Sequence, residues 1–264
     1  EMIEIPDVDK YELKNNPFHP SSFLFPFQNR VRNGNYSFLG KNYQLKINET
    51  ELNNAIHGFI DQSIFSVKEI QENSIRLEFN YDGNIQGYPF PFLFQVKYEL
   101  VETGDLGIYF EIKNSGKTSL PFSFGWHPYF KWKDKSPKDL TIKFNPKLKF
   151  LSDSQMIPLE GIDMNEKNSF NLNNENLDNI FSLSNNVATH QIEMFETTRP
   201  DSKLILEFPN KDFNYCCVFI PENYQSVAIE PLTGNTDCFN TEEGLKILKQ
   251  NEVFKTQIFC KFKI

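Results

Sequence analysis

At 264 residues the chain can bury a large core, and 39% hydrophobic with 23% charged residues is an ordinary globular composition. Its 27 Lys and Arg against 35 Asp and Glu leave a net charge of −8 with no basic stripe, which argues against a nucleic-acid binder. No apolar run approaches the roughly 18 residues that a membrane span needs.

Phe is unusually abundant, with 27 residues, and large flat side chains suit the inner faces of stacked sheets. The opening "EMIEIPDVDKYELKNN" is acidic and polar and does not read as a secretory leader. "SIRLEFNYDG" alternates Ile75, Leu77, Phe79 and Tyr81 before the hairpin-type turn signal Asp82-Gly83. The next stretch alternates Phe92, Phe94, Val96, Tyr98 and Leu100, turns at Gly104-Asp105, and returns through Leu106, Ile108, Phe110 and Ile112. It reads as a long hairpin. "LTIKF", "KLILEF", "YCCVFI" and "SVAIE" are further short strands, and the Asn-rich stretch 165–179 reads as a surface loop or set of turns. In the last segment Phe254, Ile258, Phe262 and Ile264 share a face with Thr256 and Cys260. Helical periodicity is nowhere sustained, so the pattern predicts a single all-β domain, a large antiparallel sandwich.

Two strands carry chemistry. In "FSFGWHPYFKW" the alternation puts Phe122, Phe124 and Trp126 on one face and Ser123, Gly125 and His127 on the other. The large face packs; the small face is expected to leave a hollow beside His127. Pro128 biases His127 toward extended backbone and removes a ladder donor, so the strand should end there. "QSVAIEPLTG" repeats the arrangement, with Ser226, Ala228 and Glu230 on one face and Pro231 following. A carboxylate in such an apolar strand is costly if buried without a partner. Two acid–base groups, each before a proline and each backed by small residues, suggest a cleft across a sheet. A satisfied core histidine and a rim carboxylate are the plainer alternatives.

"FGWHPYF" resembles the His-Pro-Tyr-Phe signature of the aldose 1-epimerases, the galactose mutarotase-like family, and the resemblance runs nearly the length of the chain. "FPFQNRVRNGNYSFLGKNYQLKINE" is similar to the family's Asn-Arg segment, with Asn29 and Arg30 at its head. "NNAIHGF" resembles the His-Gly motif and carries His57. "YPFPFLFQVKYEL" resembles the central hairpin, "ENLDNIFSL" a segment with an aspartate, here Asp178, and "VAIEPLTGNTDCFN" the C-terminal block with its glutamate, here Glu230. The family usually sets several strands before the Asn-Arg segment, so this chain is expected to lack some N-terminal residues.

The resemblance implies a β-supersandwich with an open cleft and no cofactor. It implies interconversion of the α and β anomers of a free aldose such as glucose or galactose. Glu230 would be the general base on the C1 hydroxyl and His127 the general acid on the ring oxygen, the two facing each other across the sugar. Each such group typically contributes about 10²–10⁴-fold. Arg30, His57 and Asp178 would hold hydroxyls; Trp126, Phe124 and Tyr129 read mainly as packing.

One departure is that the segment at His57 reads His-Gly-Phe where galactose-converting members carry His-Gly-Gly, which places the chain in a divergent branch. A hexose-6-phosphate epimerase would need a cationic grip, and the chain has four arginines, Arg30, Arg32, Arg76 and Arg199. A non-catalytic sugar-binding or sugar-sensing protein on the same fold and a glycosidase using Glu230 and Asp178 are the other classes weighed. No HxH or HExxH spacing points to a metal. Cys216, Cys217, Cys238 and Cys260 lack CxxC spacing and read as small apolar fillers in a reducing, cytoplasmic protein. Neither a membrane nor a nucleic acid is expected as partner, and both monomer and homodimer stay open.

Overall fold

The computed structural model describes Ile3 and residues 19–175, 177–221 and 225–263. Ile264, assigned above to the last strand, lies outside the described residues.

Two large antiparallel sheets stack face to face. One runs in the order Ser22–Leu24, Gly125–His127, Val227–Leu232, Tyr215–Phe219, Asp178–Leu183, Pro146–Ser152 and Pro158–Asp163, with Tyr129–Phe130 also pairing to Val227–Leu232. The other has nine strands, from Ser169–Asn171 at one edge through Leu140–Lys143, Thr189–Glu196, Lys203–Pro209, Val253–Lys263, Leu106–Asn114, Phe92–Leu100 and Ser74–Tyr81 to Ser66–Ile70. This is the large antiparallel β-sandwich that the period-2 alternation predicts.

The abundant phenylalanines fill the space between the sheets. Phe124 meets Phe94 and Phe110 with ring centroids 5.9 and 4.7 Å apart, and Phe23 meets Phe110 at 5.2 Å. Such aromatic pairs each add about 0.5–1.5 kcal/mol beyond the area they bury. Period 2 then puts Tyr215, Cys217 and Phe219, together with Ala228, Glu230 and Leu232, on the opposite, outer face of the first sheet.

The long hairpin forms as expected, Phe92 pairing with Asn114 and Leu100 with Leu106. Asp82-Gly83 does not close a tight hairpin. Tyr81 pairs with Phe92, and the connection between them folds inward. Its Tyr88 is fully buried and donates its hydroxyl to the Pro121 carbonyl at 2.7 Å. The Asn-rich stretch 165–179 also holds more order than its composition suggests. Phe170 is 1% exposed and stacks on Phe144 at 5.0 Å, making Ser169–Asn171 an edge strand. Helical structure among the described residues is confined to short pieces, including Cys238–Thr241 and the 3-10 turn Ile60–Gln62.

Candidate active site

His127 ends its strand, as a residue before proline should, and Pro128 leads into the short strand Tyr129–Phe130. Gly125 pairs with Leu232 and Tyr129 with Ala228. His127 lies midway between these and therefore stands directly across from Glu230. Both side chains are buried, and His127 Nε2 lies 3.4 Å from Glu230 Oε1. The pair is thus side by side on one sheet rather than on opposite walls of the cleft.

The small residues beside them serve a different purpose from the one the alternation suggests. A Cβ on Gly125 would lie 2.5 Å from Leu232 Cδ2 and 3.3 Å from Gln28 Cβ. Ser123 accepts the Gln28 backbone N–H at 3.1 Å. The space over Ser123 and Gly125 is occupied by this chain's own Gln28 and Leu232, and the hollow opens instead beside His127 and Glu230.

That hollow is a cavity of about 360 Å³ lined by all five residues singled out from the sequence, Arg30, His57, His127, Asp178 and Glu230. Its size lies within the range of small-molecule sites. Arg30 pairs across strands with Ile56, and the C-terminal block holds its strand through Asp237 N–H to the Arg30 carbonyl at 2.8 Å. Its guanidinium grips Glu49 with Nε–Oε2 at 2.9 Å and Nη2–Oε1 at 2.7 Å, and Nη1 donates to Asn29 Oδ1 at 3.3 Å. Among the described residues, two of its five N–H groups are left over.

His57 follows from a tight backbone approach. His57 and Gly58 both have positive φ, 63° and 70°, and a Cβ on Gly58 would lie 2.1 Å from the Phe25 carbonyl oxygen. Only glycine tolerates that contact. Phe59, where the resemblance would place a second glycine, packs on Tyr81 at 5.0 Å and does not line the cavity. Asp178 begins the strand Asp178–Leu183 opposite Phe219 and is exposed at the mouth.

Burial dominates the electrostatics of the floor. It pushes Glu230 up to about 8, moderated by a hydrogen bond from the Cys217 thiol across the strands. Burial pushes His127 down to about 3, and nearby His19 adds to the shift. Between these values the pair holds one proton, which burial places on Glu230 while His127 is neutral. Burial and then His19, His127 and Arg30 also hold His57 well below the usual histidine value, so it is neutral. Glu230 Oε2, His127 Nδ1 and His57 Nδ1 are buried without a hydrogen-bond partner among the described residues. Three unpaired polar atoms around one cavity match a hydroxyl-rich ligand.

Sequence reasoning missed His19, Glu49, Cys217 and Phe219, which also line the cavity. His19 had a visible signal, because His19-Pro20 repeats the pre-proline pattern of His127-Pro128 and Glu230-Pro231. Glu49 had none. Tyr129, read as packing, lines the cavity and stacks on His127 with centroids 5.0 Å apart. Among the described residues no group of three His, Cys, Asp or Glu is placed to hold a metal ion, and no helix is long and apolar enough to cross a membrane.

A family model described as aldose 1-epimerase matches residues 2–258. The uncharacterized protein YihR of Escherichia coli (strain K12) is 25% identical over 241 residues, covering 89% of this chain and 76% of YihR. A solved galactose mutarotase-like protein from Clostridium acetobutylicum matches with a TM-score of 0.86 at 22% identity, over 99% of this chain and 85% of its own. Galactose 1-epimerase from Lactobacillus acidophilus NCFM matches with a TM-score of 0.80 at 18% identity, over 99% and 85% respectively. At these identities the two solved structures speak to the shared fold.

Proposed function

The chain belongs to the aldose 1-epimerase family, and from that premise we propose that it interconverts the α and β anomers of a free, unphosphorylated aldose. The observation that carries this reading is the buried His127–Glu230 pair, 3.4 Å apart on the floor of a cavity. The two reacting oxygens of an aldose, the C1 hydroxyl and the ring oxygen, are both bonded to C1. They therefore need an acid and a base side by side.

Glu230 takes the proton from the C1 hydroxyl while His127 delivers one to the ring oxygen. The C1–ring-oxygen bond breaks, C1 becomes the aldehyde carbon, and the C1–C2 bond turns by about half a revolution. Closure onto the other carbonyl face returns each proton to its donor. The cycle requires one proton on the pair, carried by His127; burial favours the resting form with that proton on Glu230, so it passes to His127 across the 3.4 Å contact before the ring opens. Arg30 offers its two remaining N–H groups to hydroxyl oxygens, neutral His57 a ring nitrogen, and Asp178 an acceptor at the mouth.

The charge of the lining favours a neutral sugar. Among the described residues Arg30 is its one arginine and is already engaged by Glu49, while Asp178 and Glu230 add further carboxyl groups. A phosphate would meet little free positive charge. Whether free D-glucose or D-galactose reaches anomeric equilibrium faster with the protein tests the reading; a Glu230→Gln variant is expected to bind the sugar without accelerating it. Cys216, Cys217, Cys238 and Cys260 are buried free thiols, which fits a reducing compartment such as the cytoplasm, and the chain is taken as one domain.

A further inference from the structure

His19 and Asp61 form a second histidine–carboxylate unit at this cavity. His19 sits in the turn ahead of the strand Ser22–Leu24, the neighbour of the strand that carries His127. The Ser21 N–H donates to the His127 carbonyl at 2.9 Å, so the turn is fastened beside the floor. The His19 Nδ1 lies 2.9 Å from Asp61 Oδ2, and the Asp61 side chain is only 8% exposed. Asp61 lies in the 3-10 turn Ile60–Gln62, whose approach is locked to the residue just after the strand Ser22–Leu24 by the Phe59 and Ile60 N–H groups donating to the Phe25 carbonyl at 3.0 and 3.2 Å. Carboxylate and imidazole are therefore held at the two ends of one short stretch of chain.

With Nδ1–H spent on Asp61, the tautomer is set and Nε2 is the nitrogen left for a ligand. The His19 ring stands edge-on to His57 with centroids 5.0 Å apart, and His57 stands edge-on to His127 at 5.5 Å. The three rings form a chain of edge-on contacts in which His57 stands between His127 and His19. His19 lines the cavity whereas Asp61 does not.

We infer that His19, oriented by Asp61, is a further substrate-contacting residue that hydrogen-bonds, through Nε2, a hydroxyl remote from C1. This rests on the sugar-isomerising reading of the same cavity. With C1 at His127 and Glu230, a ring two imidazoles farther along these contacts meets the other end of the sugar. It would select among aldoses by their distal hydroxyls and take no part in the proton transfers.

The experiment pairs mutarotation kinetics with imidazole NMR. The chain has four histidines, so each signal can be assigned by single substitution. In the wild type, saturating D-galactose or D-glucose is expected to move the His19 signals. His19→Phe is expected to raise KM roughly two- to tenfold, as one lost hydrogen bond does, and to lower kcat less. His19→Gln restores part of the affinity through its amide. Asp61→Asn, which removes no cavity-lining group, reproduces the KM increase by loosening His19, and serves if His19→Phe does not fold. Across monodeoxy sugars, the His19→Phe effect disappears for the one lacking the partner hydroxyl.

If the wild type accelerates mutarotation and all these variants keep its KM, the His19 inference fails while the epimerase reading stands. If the wild type binds sugar and His19 responds but no aldose is isomerised, the epimerase reading fails and the contact stands. If no sugar is bound, both fail.

Discussion

Replacing Glu230 with Gln is expected to change how stability depends on pH, and the size follows from the buried pair. In the unfolded chain Glu230 loses its proton near its ordinary 4.5 and His127 near its ordinary 6.5, so above 6.5 neither holds one. In the folded protein the pair keeps one proton until about 8. Between these limits the folded state binds one proton more than the unfolded state, so stability falls as pH rises, by about 1.4 kcal/mol per pH unit. Over about one and a half units the loss is about 2 kcal/mol. Between 4.5 and 6.5 both states hold one proton, and the pair contributes no slope. The sign is that of an acid whose folded value is raised: its contribution is lost as pH climbs toward the folded value. With Gln at position 230, neither state holds a proton at this pair above 6.5, and the slope vanishes. Urea denaturation of both proteins at pH 6.5 and about pH 8 reads this directly, because other titrating groups cancel in the comparison. The variant is expected to gain about 2 kcal/mol on the wild type across that interval. A difference between the two proteins that is equal at both pH values would mean that Glu230 is already ionised at 6.5, and would refute the account of the floor.

The proposed acid–base cycle uses the same one-proton state, so the enzyme-dependent rate should be level below about 8 and fall above it, with an acid limb near about 3. A rate flat through pH 10, after subtraction of the spontaneous reaction, would count against the pair. Gly58→Ala should cost at least about 2 kcal/mol in urea denaturation, from the positive φ and the clash with the Phe25 carbonyl, and should weaken sugar binding through His57. A loss below about 0.5 kcal/mol would show that the turn relaxes freely. Phe59→Ala should cost about 2–3 kcal/mol while leaving KM unchanged, because its ring packs toward Tyr81 and away from the cavity; a changed KM would link this position to substrate choice.

Most of the fold was legible because sheet faces are written in alternate residues. Phe92, Phe94 and Val96 and their hairpin partners Ile108, Phe110 and Ile112 are all buried, as their spacing predicts. What escaped were features set by distant segments. Phe170 in its Asn-rich surroundings becomes a strand residue through partners far along the chain, pairing with Ile142 and packing on Phe144 and Phe181. Asp82-Gly83 opens a longer connection because Tyr88 has a buried partner at Pro121.

The same division holds at the site. The residues Arg30, His57, His127, Asp178 and Glu230 could be picked out from motifs, and the fold brings them round one cavity. Their geometry could not. Cross-strand register makes His127 and Glu230 neighbours, and register depends on two strands about a hundred residues apart. The small residues Ser123 and Gly125 misled for a related reason: smallness in a strand records close approach, and the partner proved to be Gln28 and Leu232 rather than a ligand. Glu49 was invisible because an acid in a polar loop carries no pattern until Arg30 is placed beside it.

Polarimetry on freshly dissolved α-D-glucose and α-D-galactose, following the approach to anomeric equilibrium with wild type, His127→Asn and Glu230→Gln, tests the central claim most directly. The account predicts acceleration by the wild type on at least one of these sugars, lost by about 10²-fold or more in each variant while sugar binding persists. Acceleration that survives in both variants, or none from the wild type on either sugar, would contradict it.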